Sequence, residues 1–302
     1  MICSVGEILI DFFQAGENSS SFPVLSAMPG GAPANFICAV KAAGGEGAFI
    51  GKVGKDAFGK RLKNLLENKG IDSSGLVEDG GVFTTLAFVT LDSLGDRSFS
   101  FARKPGADTM LSFEEIDLSV IDRCSCLHFG SLSFTDEPSR SAVKEALAYA
   151  KSKGKLISYD PNYRALLWEN EEEAKKQMLS GFKFSDTVKL SLEEAQLLFS
   201  EDEKGAADIL INKYGCSLVF VTLGELGCYY KNEKGFGYAR SRKAVTPVDT
   251  TGAGDIFGGT AAALIERSGK HPRELTPEEL SQIAEEACTR ASLSTEKQGG
   301  ML

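Results

Sequence analysis

An α/β fold, with a parallel sheet covered on both faces by helices, is what this 302-residue sequence predicts. Two observations carry the prediction. From about residue 117 onward, apolar runs ending in polar residues (126–131, 156–162, 187–191 and 218–224) alternate with helical stretches at 137–153, 171–182, 193–199 and 203–214. Strands alternating with helices return each strand parallel to the last. The first hundred residues differ in texture. There Val82, Thr84, Leu86 and Phe88, then Phe99 and Phe101, alternate around Ser93-Leu94-Gly95-Asp96, the pattern of a hairpin beside the main sheet.

Taken in order, residues 1–11 read as a strand and 12–31 as a polar, Ser- and Pro-containing excursion. Residues 32–43 read as a helix, 46–54 as a strand and 56–69 as a second helix. In such sheets ligands gather beyond the carboxyl ends of the strands. The polar residues closing the apolar runs therefore point to a site assembled from several distant segments. No repeat at a fixed period is evident, and the length suits one large α/β domain or two smaller ones.

Composition narrows the function. The chain is 42% hydrophobic and 25% charged, ordinary for a soluble globular protein. A formal net charge of -9 speaks against nucleic acid and against anionic membranes, both of which need a basic face. A nucleotide is not excluded, because local backbone amides can hold a phosphate in an acidic protein. The seven cysteines are scattered, Cys124 and Cys126 lack zinc-ligand spacing, and only His128 and His271 supply imidazoles. Free thiols fit a reducing cytosol, so a cytoplasmic setting is expected. The apolar run at 2–10 is too short to span a membrane and lacks a basic flank, so it reads as a buried strand.

The strongest local signal is Asp249-Thr250-Thr251-Gly252-Ala253-Gly254-Asp255, followed by Ile256, Phe257, Thr260, Ala261 and Leu264 at helical spacing. A buried helix should begin near Ala253, and its free amides and partial positive charge suit an anion. Asp255 in that first turn is either a dipole partner or a carboxylate placed for proton abstraction beside a phosphoryl group. Other phosphate motifs fail. Gly54-Lys55-Asp56-Ala57-Phe58-Gly59-Lys60 continues with Arg61 where a P-loop needs Ser or Thr, and no strand-linked G-x-G-x-x-G opens the chain.

Asp249 to Asp255 resembles the C-terminal signature of the ribokinase-like (PfkB) carbohydrate kinases, and the resemblance spans essentially the whole chain. It implies a three-layer α/β/α sandwich with a mostly parallel central sheet, one kinase domain over 1–302, and a small β-sheet lid from about 12–31 and 82–107. It also implies that Gly252, Ala253 and Gly254 form the anion hole and that Asp255 is the base. Pro29-Gly30-Gly31-Ala32-Pro33-Ala34-Asn35 matches the N-terminal signature, which makes Asp11, Gly30, Gly31 and Asn35 sugar ligands. The segments Arg97 to Asp108 and Tyr159-Asp160-Pro161-Asn162-Tyr163-Arg164 are similar to fructokinase motifs. They bring Phe101, Arg103 and Arg164 to the sugar and Asn162 to the ATP phosphates.

On the nucleotide side the resemblance assigns Thr222, Gly224 and Gly227 to ATP, together with Lys189, Ser191 and Glu194. Ser191 departs from the Asn usual there, and Glu194 keeps the acid that organises magnesium-bound water. Asp249 and Thr251 match positions that help bind a monovalent cation, so K⁺ joins ATP and Mg²⁺ as an implied cofactor. The implied activity is phosphorylation of D-fructose to fructose 6-phosphate. Kinase action on ribose, a nucleoside or 2-keto-3-deoxygluconate stays open, since Arg103 would also suit a substrate carboxylate. So does a catalytically idle sensing module. Relatives pair through the lid, which leaves a homodimer open.

Overall fold

The computed structural model describes residues 1–91, 97–241, 246–297 and 299–301. Gly6 decides how the chain begins. β1 covers only Ile2–Val5, buried throughout, and Gly6 then takes φ +148°, a conformation that L side chains rarely adopt. The chain restarts as β2 (Leu9–Glu17) in a second sheet and returns as β3 (Pro23–Gly30), antiparallel to it. The single strand expected over 1–11 is thus two strands in different sheets, and the expected excursion at 12–31 is itself a hairpin.

α1 (Ala32–Ala42) follows from a Gly31 N-cap, then β4 (Gly47–Gly54) and α2 (Ala57–Asn68). Asp56 caps α2 by accepting from Phe58 N and Gly59 N at 2.9 and 2.8 Å, and it also accepts from Thr84 N at 2.8 Å. β5 (Asp72–Asp79), β6 (Leu86–Leu91) and β7 (Arg97–Ala102) come next. The turn read at 93–96 lies outside the described residues. The second half alternates as expected. It runs α3 (Leu118–Arg123), β8 (Cys126–Gly130), α4 (Ser139–Ser152), β9 (Leu156–Asp160), α5 (Glu171–Phe182), β10 (Thr187–Ser191), α6 (Leu192–Phe199), α7 (Glu203–Tyr214) and β11 (Leu218–Thr222). β12 (Cys228–Asn232), β13 (Gly235–Ala239), α8 (Ala253–Ser268) and α9 (Pro277–Ser294) complete the chain.

The main sheet has nine strands in the order β13-β12-β11-β10-β9-β8-β1-β4-β5. It is parallel from β11 through β5, with β12 and β13 added antiparallel at one edge. The four-stranded sheet has the order β3-β2-β6-β7. One face of the main sheet is sealed by α4 to α7 around Phe129, Tyr159 and Phe182, with the Phe129 and Tyr159 rings stacked at 4.4 Å. The other face meets α1, α8 and α9 through two separate apolar clusters, one around Phe36 and Phe49, the other around Phe220 and Phe257. All seven cysteines are free, and among the described residues no helix is long and apolar enough to cross a membrane.

Candidate active site

Successive strands run outward from β1 in one direction through β4 and β5 and from β8 in the other through β9, β10 and β11. The carboxyl ends beside this switch in strand order form a crevice, where open parallel sheets place their ligands. β9 ends there on Asp160, β10 on Ser191 and β11 on Thr222, with Ser191 and Thr222 paired in register.

The start of α8 faces the same ends. Gly252 sits before it with φ +78° and no side-chain cap, so the first turn carries bare donors. Ala253 N donates to Thr250 O at 3.3 Å, while the amides of Gly254 and Asp255 meet no acceptor among the described residues. That leaves an anion-binding end. Asp255, 7% exposed, lies in this turn. Asn35 Nδ2 donates to its Oδ2 at 2.8 Å and Asn162 Nδ2 donates to its Oδ1 at 3.0 Å. Asn162 holds φ +45°, and its own amide donates to Asp160 Oδ1 at 3.1 Å. The other Asp160 oxygen takes Lys189 Nζ at 2.7 Å.

Burial pushes the Asp255 carboxyl up to about 6, and the charge of Asp160 adds to this, against Lys189, the Asn35 hydrogen bond and Arg164. Burial likewise lifts Asp11 to about 6, with Arg164 opposing and Asp249 and Asp255 reinforcing. Arg164, Asp249 and Asp255 therefore all act on Asp11, and Arg164 acts on Asp255 as well. Asp11 reaches this place from β2 of the small sheet rather than from the end of a main-sheet strand. A Cβ on Gly30 would run into its carboxylate, and a Cβ on Gly31 would stand 2.5 Å from Glu7 O. The N-terminal glycines thus allow close approach beside Asn35, whose Oδ1 is buried without a partner among the described residues.

A cavity of about 390 Å³ opens next to this group, lined by Asn162, Arg164, Lys189, Ser191, Glu193 and Glu194. Ser191 and Glu194 form a reciprocal capping box at the start of α6. Glu194 Oε1 also accepts from Tyr163 N at 2.7 Å, and burial raises its pKa, with Asp160 adding to the effect. Thr222 donates to Leu190 O at 3.4 Å, and Gly224 and Gly227 turn the chain from β11 into β12. Asp249 Oδ1 accepts from Thr251 N at 2.9 Å and its Oδ2 from Gly299 N at 3.1 Å, tying this loop to the chain end. Among the described residues no three His, Cys, Asp or Glu side chains cluster for a metal ion.

Arg103 is held within the protein. Its guanidinium is buried and engaged by Asp108 at 2.7 Å, Thr135 Oγ1 at 2.9 Å and Leu132 O at 2.9 Å. With these partners it anchors the 103–108 segment. Phe101 is half-buried on β7, a strand that approaches the 165–167 turn beside Arg164. Asp160 was not singled out from the sequence, although it links Lys189 to Asn162. Its signal was its position, the last residue of an apolar strand run.

The sequence family described as "pfkB family carbohydrate kinase" matches residues 1–302. The chain belongs to this family. Fructokinase-1 of Zea mays is 41% identical over 307 residues, covering 100% of this chain and 93% of the maize protein. The crystal structure of fructokinase with bound ATP from Xylella fastidiosa superposes with a TM-score of 0.90 at 29% identity, covering 99% of this chain and 93% of that one. A double-mutant fructokinase from Vibrio cholerae, in fructose, ADP and potassium ion bound form, gives 0.85 at 28% identity, with 99% and 93% covered. This pfkB-family kinase thus has the ribokinase-like α/β fold expected from its motifs, with a large, mostly parallel sheet and a small separate one.

Proposed function

We propose that this kinase transfers the γ-phosphate of ATP to the C6 hydroxyl of D-fructose. The observation that carries the reading is the buried Asp255 carboxylate, fixed by two asparagine amides at a helix start with bare donors. A carboxyl near pH 6 is ionised at neutral pH yet still basic enough to take a proton in the transition state. In this mechanism one Asp255 oxygen accepts the proton of the sugar hydroxyl as its oxygen bonds to phosphorus. The bond from the γ-phosphorus to the β–γ bridging oxygen breaks, and ADP leaves with that electron pair. The amides of Gly252, Ala253 and Gly254, with the dipole of α8, stabilise the charge on the transferring group. Lys189 adds positive charge close by, since a Cβ on Gly254 would lie 2.8 Å from its Nζ.

Asp11, the Gly30–Gly31 backbone, Arg164 and the unpartnered Oδ1 of Asn35 supply acceptors and donors for sugar hydroxyls, with Phe101 against the ring. The four-stranded sheet acts as a lid on a single kinase domain, excluding water that would otherwise take the phosphoryl group. Ser191, Thr222, Gly224 and Gly227 line ATP. Mg²⁺ supplies charge neutralisation on the phosphates. Asn162 stands next to them, and Glu194, whose oxygens already accept amide hydrogens, suits a magnesium-bound water better than the ion itself. The Asp249–Thr251 loop is where K⁺ would sit, beside an Asp249 carboxylate that accepts from Thr251 N and Gly299 N.

ADP release measured on fructose, ribose, adenosine and 2-keto-3-deoxygluconate tests the substrate. The highest kcat/KM should fall on fructose, with the product converted by phosphoglucose isomerase. A higher value on another substrate overturns the fructose assignment, and no sugar-dependent ADP at all leaves a sensing module. The engaged Arg103 weighs against the sugar acid. The outer edge of β3, with Val24 47% exposed beside Phe22 at 68%, is where two lids would pair, and a monomer mass by light scattering would remove that part of the reading.

A further inference from the structure

The face of the main sheet beneath α8 does not close. Its two apolar clusters leave a gap between them. The strand residues turned toward the gap, Cys126, Leu156, Thr187 and Lys189, are partly accessible. Their chain neighbours Leu127, Ile157 and Val188, turned toward the opposite face, are each 0% exposed. Across the middle of the gap α8 offers the small residues Gly258, Ala261 and Ala262, with Ile265 and Glu266 one turn further on. The result is a cavity of about 490 Å³, larger than the 390 Å³ cavity beside Asn162 and within the range of small-molecule sites.

Its rim lies at the amino ends of the strands, the pole away from Asp255, between the turns at 153–155 and 269–272. The rim is basic in an otherwise acidic chain: Lys153, Lys155 and Lys270 stand there with His271. The rim's acid, Glu266, is already paired with the Met1 ammonium at 2.6 Å, and Lys270 has a second acid, Glu279, at 2.5 Å. Lys155 donates to a neutral acceptor, Asp122 O, at 2.7 Å. Inside, Leu156, Phe220 and Ile265 give apolar walls, and Ser158 and Thr187 give hydroxyls.

We propose that this cavity is a second small-molecule site, separate from the sugar and nucleotide sites, that takes an organic anion. A compact apolar body would lie between Leu156, Phe220 and Ile265, and a carboxylate, sulfonate or phosphate would face the lysine rim. Lys189 lines both cavities, so an occupant touches the side chain that pairs with Asp160 in the active site.

The test uses 1-anilinonaphthalene-8-sulfonate, an aromatic anion that fits this description, added to the intact protein. Enhanced emission should saturate at one equivalent and persist at saturating ATP and fructose. Ala262→Phe, which fills the cavity from α8, should weaken binding about tenfold or more. Leu156→Phe does the same from the opposite wall, each variant being accepted only with unaltered far-ultraviolet circular dichroism. Lys153→Glu with Lys270→Glu, at exposed positions, should weaken it several-fold and decides the matter if both filling variants misfold. Emission that never saturates, that ATP competes away, or that survives the folded variants unchanged would overturn the proposal.

Discussion

Replacing Asn35 with Leu removes one donor to Asp255 while keeping the branched, four-atom shape of the side chain. Asn35 Nδ2 lies 2.8 Å from Asp255 Oδ2 inside the protein, and its hydrogen bond favours the charged carboxylate. A hydrogen bond to a charged group contributes about 1.5–3 kcal/mol. One pKa unit corresponds to about 1.36 kcal/mol, so the carboxyl should rise by about 1–2 units above its value of about 6. The sign is fixed by the role of the group: a base must be ionised, so turnover falls as pH drops through its pKa. The acid limb of the kcat profile should therefore move upward by about 1–2 pH units in Asn35→Leu. Bound nucleotide adds a further upward push in both proteins, which is why the difference between the two profiles is the quantity to compare. Saturating sugar keeps the loss of an Asn35 sugar contact out of kcat. An ADP-coupled assay across pH 5–9 reads this directly. A variant whose kcat falls uniformly, with the acid limb in its old place, would refute the assignment of that limb to Asp255.

Three other outcomes follow from the same geometry. Asp255→Asn should fold normally and lose on the order of 10²–10⁴ in kcat, and unchanged turnover would refute the base. Arg103→Ala strands the buried Asp108 carboxylate, so urea unfolding should show a loss of about 3–5 kcal/mol; a stable variant with a raised sugar KM would restore Arg103 as a ligand. Asp56→Ala removes the α2 cap and should cost about 1–2 kcal/mol at neutral pH. Asp56 has a depressed folded-state pKa despite partial burial, because the amides of Thr84, Gly59 and Phe58 favour its charge. Its stabilisation is complete above the ordinary aspartate pKa and fades as pH falls through the lower folded value, so the two proteins should converge in acid. A gap between them that persists in acid would be at odds with this.

The second half of the chain was legible because its strands are buried and its helices amphipathic, so Leu156 to Asp160 and Leu218 to Thr222 stand out as apolar runs between polar helices. The first thirty residues were less so. β3 has a single buried residue, Gly30, and its prolines and Ser26 break up the apolar residues, so Pro23 to Gly30 reads as a loop. The break at Gly6 is a matter of one torsion angle, which an apolar run from Ile2 to Ile10 does not betray. The glycine turn and Asp255 were visible because their chemistry is local. The pairing of Arg103 with Asp108 was not legible, because although the two are only five residues apart, whether they pair inward depends on burial by distant segments. Asp160 has no role readable from the sequence for the opposite reason: its contacts are with Lys189 and Asn162, and only the register of β9 and β10 brings the lysine to it.

The placement of Asp255 depends on how closely α1 and α8 approach. A Cβ on Gly259 would collide with Phe36 O, and one on Gly258 would lie 3.4 Å from the Phe36 ring, so these glycines let α8 lie directly on the backbone of α1. Phe36 follows Asn35 in sequence, and its ring stacks on His128 of β8 at 3.5 Å, which fixes α1 over the sheet. The same contact that seats α1 therefore aims Asn35 at a carboxylate 220 residues away. Asn162 approaches from the opposite side on a left-handed backbone turn, so the carboxylate is gripped from two layers of the fold. In the proposed mechanism a carboxylate held this way loses little orientational freedom when substrate arrives, which favours catalysis by pre-organisation. The same packing accounts for the small-residue stretch after the glycine turn: one turn past Asp255, bulk would separate the helices and take the Asn35 donor away from the carboxylate.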